Sequence, residues 1–171
     1  VEISGYLKDT LKRNVSLALA INTEKARSEL IIINILLEIK EKFPDKISLF
    51  SGIDFNVDKE KGLTGFCDFI ISNSPEQLYL DSPIIAIAEA KNENIISGLG
   101  QCIAEMYASH IYNENEGYSL SSVYGAVTTG NEWKFIKLVK NTVYTAYIDS
   151  YYISEIEKIV GILTEMVEQK A

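Results

Sequence analysis

Three strand-like segments follow one another at residues 47–57, 62–72 and 84–91, with no helix-length connection between them. Each segment is rich in Ile, Val and Phe, and turn-forming stretches such as "DKEKG" separate them. Parallel neighbours would need a crossover of a dozen or more residues, usually a helix. We therefore expect these three strands to form an antiparallel meander, which excludes an all-parallel sheet.

A helix is predicted on each side of this meander. Residues 23–43 begin at a capping residue, Asn22 or Thr23, carry acids early and lysines late, and stop at Pro44. Residues 95–112, "IISGLGQCIAEMYASHIY", again show helical spacing.

The remainder of the chain predicts further strands and a last helix. A strand at 123–129 is followed by "WKFIKLVK" across the turn "GNE", and then by "TVYTAYI" at 142–148. A final helix is expected from about Ser154, where Glu157 would complete a capping box.

The predicted fold class is α/β in the broad sense, an α+β protein with helices packed on a mixed sheet. All 171 residues are expected to form a single domain, with a core at about 23–129 and a C-terminal extension at about 130–171. Cys67 and Cys102 lie in apolar segments without CxxC spacing, so they are interpreted as reduced core residues.

Charge and hydropathy exclude some partners. The chain has 24 acidic and 16 basic residues and a net charge of −8, which disfavours non-specific binding to nucleic acid or to an anionic membrane. Its longest apolar run, "LIIINILL", is too short to span a bilayer. We expect a cytoplasmic protein with no membrane partner, in which any nucleic-acid contact is local or depends on bound cations.

The third strand ends on an acid and an amine. Glu89 and Lys91 share one face of it, because side chains alternate along a strand. If Ile71 lies opposite Ile84, Asp68 of the preceding strand is diagonal to Glu89, at roughly 7–8 Å. Two carboxylates would then converge beside one lysine.

The opposite face of the third strand is small. It carries Ala86, Ala88 and Ala90, and a stripe of small residues on the helix at 95–112 suggests that this helix packs on them. Gln101 belongs to that stripe.

Converging carboxylates repel one another unless a cation neutralises them. Mg²⁺ or Mn²⁺ suits Asp68 and Glu89, because hard ions take one or two carboxylates, a backbone carbonyl (here that of Ala90) and waters. Lys91 would orient or deprotonate an attacking water and stabilise the transition state.

A further acid is predicted to point at the same place. Glu29 shares an apolar helical face with Ile32, Ile33 and Leu36, where an unpartnered carboxylate is costly. It is expected to reach the metal directly or through water. Glu38 is assigned instead to the wet face of the helix.

These residues resemble the motifs of the PD-(D/E)xK phosphodiesterase superfamily, the restriction endonuclease-like fold. The predicted element order matches its αβββαβ core, "GFCD" supplies Asp68, and "EAK" supplies Glu89 and Lys91. Glu29 and Gln101 match the accessory acid of the first helix and the glutamine of the second.

The sequence departs from the superfamily pattern at two places. Cys67 replaces the proline before the first acid. Glu105 stands four residues after Gln101, where the exonuclease branch has a tyrosine, so the resemblance favours a restriction-related endonuclease.

The resemblance implies a nuclease that hydrolyses phosphodiesters with Mg²⁺ or Mn²⁺, acting on DNA rather than RNA. Cutting both strands would need two sites, hence a homodimer or a partner subunit. The alternative is a catalytically silent module that binds nucleic acid or a partner protein within a larger assembly.

Simpler interpretations stay open for individual residues. Glu89 and Lys91 could form a solvent-facing ion pair of little energetic value. Four tyrosines could stack on bases, although strand packing is the more common use: Tyr144, Tyr147, Tyr151 and Tyr152.

Overall fold

Seven strands form one mixed sheet in the computed structural model, which describes residues 1–145 and 149–169. The strands are β1 (Ser48–Asp58), β2 (Leu63–Ser72), β3 (Ile84–Ala90), β4 (Val123–Thr128), β5 (Glu132–Val139), β6 (Thr142–Thr145) and β7 (Tyr151–Tyr152). They follow the order β1-β2-β3-β4-β5-β6, and β7 also pairs with β5.

The pairing confirms the predicted meander and the α+β class. β1 with β2 and β2 with β3 are antiparallel, whereas β3 and β4 are parallel. The parallel pair is possible because a helix connects these two strands. β4, β5 and β6 continue as an antiparallel hairpin array.

The helices are α1 (Gly5–Ile21), α2 (Glu24–Arg27), α3 (Ile33–Lys42), α4 (Leu99–Asn115) and α5 (Ile156–Glu168). The predicted cap is confirmed, since Thr23 Oγ1 accepts a hydrogen bond from the Ala26 amide at 3.0 Å. A π-helical turn, Ser28–Ile32, joins α2 to α3, so the predicted helix is continuous but irregular. α1 has no counterpart among the predicted elements.

The predicted register between β2 and β3 is wrong. Ile71 pairs with Ala86, and Ile84 pairs with Ser72, which leaves Ile85 as an extra residue on β3. Such a bulge cannot be inferred when a long loop joins the two strands.

The observed register also changes how the two candidate acids are placed relative to each other. The antiparallel ladder ends at Phe69 and Ala88, and Asp68 and Glu89 are the next residues on their strands. They therefore stand opposite one another, whereas the predicted register made them diagonal neighbours.

The two faces of the sheet are covered by different helices, and the predicted packing of α4 is wrong. Ala86, Ala88 and Ala90 belong to the hydrophobic cluster that contains side chains of α3 and α5. α4 packs on the other face, the one that carries Ile87 and Val127.

A glycine allows α4 to approach the sheet. A Cβ atom on Gly125 of β4 would lie 2.8 Å from Cys102 Sγ and would also overlap Met106 Sδ. The close approach of α4 therefore requires glycine at position 125 of β4. The prediction had instead placed this contact on the alanines of β3. Cys67 and Cys102 are buried free thiols, as expected.

Glu38 holds α1 in place and is not on a wet face, contrary to the prediction. Its side chain is buried and accepts hydrogen bonds from the Ser4 amide at 2.8 Å and from Ser4 Oγ at 2.7 Å. Ser4 Oγ in turn accepts from the Leu7 amide and caps α1. The partner of Glu38 comes from a helix that was not predicted.

The C-terminal predictions are confirmed only in part. Ser154 lies in a 3₁₀ turn, Ile153–Glu155, and within the described residues no side chain caps α5, so the predicted capping box is wrong. The predicted strand at 142–148 ends at Thr145 as described, and Tyr147 lies outside the described residues. None of the described helices combines the length and apolarity needed to cross a bilayer.

Candidate active site at the end of the central strands

Asp68 lies where the side-chain alternation of β2 is interrupted. Cys67 and Ile70 both pack in the α4-side cluster, and Gly52, opposite on β1, has a left-handed φ of 64°. At this point Asp68 Oδ2 accepts a hydrogen bond from the Ala90 amide at 2.8 Å. The carboxylate is thereby held against the end of β3.

Glu89 is a buried carboxylate with only one satisfied oxygen. The residue is 2% exposed, and Lys91 Nζ donates to Oε1 at 3.1 Å. Oε2 is buried and has no hydrogen-bond partner among the residues described. A buried charged oxygen without a partner is costly, so this atom indicates either a proton or a ligand.

Lys91 is positioned by the sheet. Its amide donates to the Thr128 carbonyl at 2.8 Å, which continues the pairing of β3 with β4 by one residue. Its side chain is 19% exposed, so the ammonium group reaches the surface edge of the site.

The charges of these groups are strongly coupled. Burial, together with the charges of Asp68 and Glu105, raises the pKa of Glu89 to about 8 against the opposing effect of Lys91. Burial alone would lower the pKa of Lys91, but its hydrogen bond to Glu89 and the negative charges of Glu89, Glu24 and Asp68 outweigh it and raise that pKa. Lys91 is therefore an ammonium ion at neutral pH.

Glu105 of α4 belongs to the same group and was not predicted as a site residue. It is 8% exposed, and its Oε1 accepts from Gln101 Nε2 at 3.1 Å. Its Oε2 is buried with no N–H or O–H donor among the described atoms, and the weakly donating Cys67 thiol lies beside it. Burial raises the pKa of Glu105 to about 7. Glu105 is three residues from both Cys102 and Ala108, so it lies on the apolar face of α4. This spacing could have identified it from the sequence as a buried acid.

Gln101 lies beside Glu105, on the helix α4 that packs on the face of the sheet opposite to the predicted one. Its own side chain is exposed, and its recorded contact is the hydrogen bond to Glu105. Its contribution is thus to orient one oxygen of a buried acid.

Glu29 does not join this group, which corrects the prediction. Its side chain is 59% exposed and pairs with Lys25 Nζ at 2.7 Å. The π-helical turn explains the error, because spacing of three and four residues does not define a common face across it. Glu24, at the start of α2, is the helix acid whose charge acts on Lys91.

The described tyrosines do not single out a base-stacking surface. Tyr144 and Tyr152 are largely exposed, whereas Tyr151 packs against Phe135 with ring centroids 5.7 Å apart. Tyr151 thus packs against a neighbouring strand, which is the more common use of such tyrosines.

The available oxygen ligands suit a hard divalent cation that takes only a few ligands from the protein. Within residues 1–145 and 149–169, no group of three or more His, Cys, Asp or Glu side chains is arranged to hold a metal ion. Mg²⁺ needs only one or two carboxylates, because it keeps several waters. Asp68 and the unpartnered Oε2 of Glu89 fit that requirement, with the Ala90 carbonyl as the predicted third ligand.

Comparison of the chain with protein-family models, with curated proteins and with solved structures finds no significant match in any of the three. The class of the molecule is thus defined by its topology, an α+β protein with a seven-stranded mixed sheet.

Proposed function

We propose that this protein is a metal-dependent phosphodiesterase of the PD-(D/E)xK type, acting as an endonuclease on DNA. The observation that carries the proposal is the state of Glu89, a buried carboxylate with an ammonium group 3.1 Å from one oxygen and no described partner for the other. Asp68 stands opposite it at the ends of adjoining strands.

The metal would be Mg²⁺ or Mn²⁺, held by Asp68, Glu89 and the Ala90 carbonyl. A bound divalent cation supplies Lewis-acid stabilisation to a phosphodiester and makes water a better nucleophile near neutral pH. Glu89 loses its proton when it becomes a ligand, since a protonated carboxyl group binds metals poorly.

Lys91 is assigned to charge stabilisation, which narrows its predicted role. An ammonium group with a raised pKa does not accept a proton from water at neutral pH. It can donate hydrogen bonds to a phosphate oxygen as negative charge develops there, and it can orient the attacking water.

The order of helices and strands along the chain supports the proposed PD-(D/E)xK type. From α2 to β4 the chain runs as helix, three antiparallel strands, helix and parallel strand, which agrees with the αβββαβ order of the superfamily it resembles. DNA is preferred to RNA by that resemblance alone. The net charge of −8 repels DNA, so a basic partner subunit or bound cations would have to bring the substrate to the site.

A second candidate function is a catalytically silent binding module. One contact favours it: Asp68 Oδ2 has a structural partner in the Ala90 amide, so Asp68 can serve the fold without any metal. The unpartnered oxygen of Glu89 argues for the enzyme, because a retired site gains nothing from a costly buried carboxylate.

A plasmid-nicking assay tests the proposal. With Mg²⁺ or Mn²⁺, the wild type should relax supercoiled DNA, and Asp68→Asn and Glu89→Gln should not. Glu29→Gln is the matched control, because that acid is exposed and paired with Lys25. Metal binding without cleavage of DNA or RNA would favour the silent module.

A further inference from the structure

A cavity of about 160 Å³ lies between the β1–β2 hairpin and α4. Phe55, Gly62 and Gly65 line it on the hairpin side, and a Cβ atom on either glycine would meet no described atom within 4 Å. The hairpin therefore leaves open space beside a buried aromatic ring.

The α4 wall of the cavity supplies its polar groups. Gln101, Ala104 and Glu105 lie on this wall, and the Gln101 amide satisfies Glu105 Oε1 at 3.1 Å. Glu105 is 8% exposed, and its Oε2 has no N–H or O–H donor within the described part of the chain. The Cys67 thiol, a weak donor, lies beside this carboxyl group. Leaving a buried acceptor without a donor is costly, so a ligand that supplies one would gain by entering.

The cavity adjoins the proposed metal site. A Cβ atom on Gly98, which directly precedes α4, would lie 3.0 Å from Lys91 Cε, so the lysine stem reaches α4 one turn before Gln101 of the cavity wall. The charge of Glu105 also acts on the Glu89 carboxyl group. A ligand covalently linked to a phosphate at Glu89 and Lys91 could thus place a neighbouring group in the cavity.

We propose that this cavity binds one nucleobase of the substrate strand, and that an exocyclic amino group of that base donates a hydrogen bond to Glu105 Oε2. The inference rests on the proposed nuclease function and specifies the substrate further. A flat ring with one polar edge suits a site with apolar walls and few polar groups. Acidic side chains accept from base amino groups, as with N4 of cytosine, whereas a carboxylate repels an anionic ligand.

Free deoxynucleosides test the cavity separately from cleavage, because they carry no phosphate. Titration calorimetry should show binding of deoxyadenosine, deoxycytidine or deoxyguanosine at least about tenfold tighter than that of thymidine, which has no amino group; one hydrogen bond to a charged group is enough for this factor. Glu105→Gln should reduce that preference.

Ala104→Trp should abolish nucleoside binding, since Ala104 is exposed on the cavity wall and a bulky side chain there fills the space without entering the core. Glu114→Trp is the matched control, an exposed position on the same helix that does not line the cavity.

The two proposals can fail separately. Nucleoside binding that Ala104→Trp removes, in a protein that nicks no DNA, would keep the base pocket and refute the nuclease. Nicking by a protein that binds none of the four nucleosides at millimolar concentration would keep the nuclease and overturn the pocket. Equal binding by Ala104→Trp and the wild type would overturn it as well.

Discussion

Lys91 Nζ lies 3.1 Å from Glu89 Oε1, and this contact satisfies only half of a carboxylate that is otherwise buried. An ion pair that served stability alone would have both oxygens hydrogen-bonded or exposed to water. Burial, more than Lys91 can offset, raises the pKa of Glu89, which makes the site sensitive to protons and cations.

Divalent cations should stabilise the fold through Asp68 and Glu89. At a Mn²⁺ concentration of about 100 times Kd, linkage predicts about 2.7 kcal/mol and an increase in Tm of roughly 5–10 °C. Differential scanning fluorimetry should show this shift for the wild type and for Glu29→Gln, and not for Asp68→Asn or Glu89→Gln. An equal shift in all four proteins would place the metal elsewhere.

Without divalent cations, stability should fall as pH rises from 5 to 8. Burial raises the pKa of Glu89 to about 8 and that of Glu105 to about 7, from 4.5 in the unfolded chain. The stabilising effect of protonation is complete below pH 4.5 and is lost as the pH rises through these folded-state values. Urea unfolding at several pH values measures the free energy of unfolding and therefore its decline with pH.

The pH effect should be smaller in Glu89→Gln, whose side chain does not ionise. Glu41→Gln, at an exposed position, should retain the wild-type dependence. Stability that rises with pH in the metal-free wild type would contradict the prediction. Saturating Mn²⁺ should oppose the decline, because binding of the metal displaces the proton.

Lys91→Ala should lose nicking activity but retain metal binding. Removing one preorganised donor to developing charge costs about 10²–10³ in kcat. Single-turnover nicking with saturating Mn²⁺ measures the loss, and Lys25→Ala, which removes an exposed lysine, should not change the rate. If Lys91→Ala cleaved at the wild-type rate, the lysine would have no catalytic role.

Arg27→Met should destabilise the protein by roughly 1.5–3 kcal/mol, the cost of losing hydrogen bonds to a charged group. Arg27 is buried, and its Nη1 donates to the Thr129 carbonyl at 2.7 Å while Nη2 donates to Asn22 Oδ1 at 2.9 Å. Urea unfolding measures the change, with the exposed Arg13→Met as control. A loss below 0.5 kcal/mol would show that these bonds are replaced by water.

Gly125→Ala should destabilise the protein by about 1–3 kcal/mol through overpacking. Its new methyl group would overlap Met106 Sδ and lie 2.8 Å from Cys102 Sγ, which pushes α4 away from β4. Gly100→Ala is the control on α4 itself, where the methyl group meets no described atom within 4 Å and helix propensity favours alanine. Thermal unfolding should show a lower Tm for Gly125→Ala and a higher Tm for Gly100→Ala than for the wild type.

Local patterns were sufficient to predict most of the sheet. The connections at 58–62 and 73–83 are too short for a crossover, so the antiparallel order of β1, β2 and β3 followed directly, and it is confirmed. α1 was not predicted, and its N-cap residue Ser4 is held by Glu38 through a contact across 34 residues that no local pattern reveals.

The site residues likewise divide into those that a local pattern predicts and those whose positions depend on tertiary structure. Glu89 and Lys91 are two residues apart on one strand, so their proximity was predictable from alternation. Asp68 was predicted to be near Glu89, but its exact partner depends on the bulge at Ile85, which is a tertiary feature. Glu29 was misplaced because the rule of three-and-four spacing fails at an irregular helical turn.

The π-helical turn Ser28–Ile32 also determines how the two ends of the long helix are aligned. A single deletion there could be absorbed as an ordinary α-helical turn, so the chain would lose a residue and still be helical. The residues on either side would then keep their orientation, because only the extra residue of the π-helical turn is lost. The same deletion within α3 has no extra residue to remove, so everything before it would rotate by ~100°. Arg27 and Glu24 would then turn away from Thr129 and Lys91.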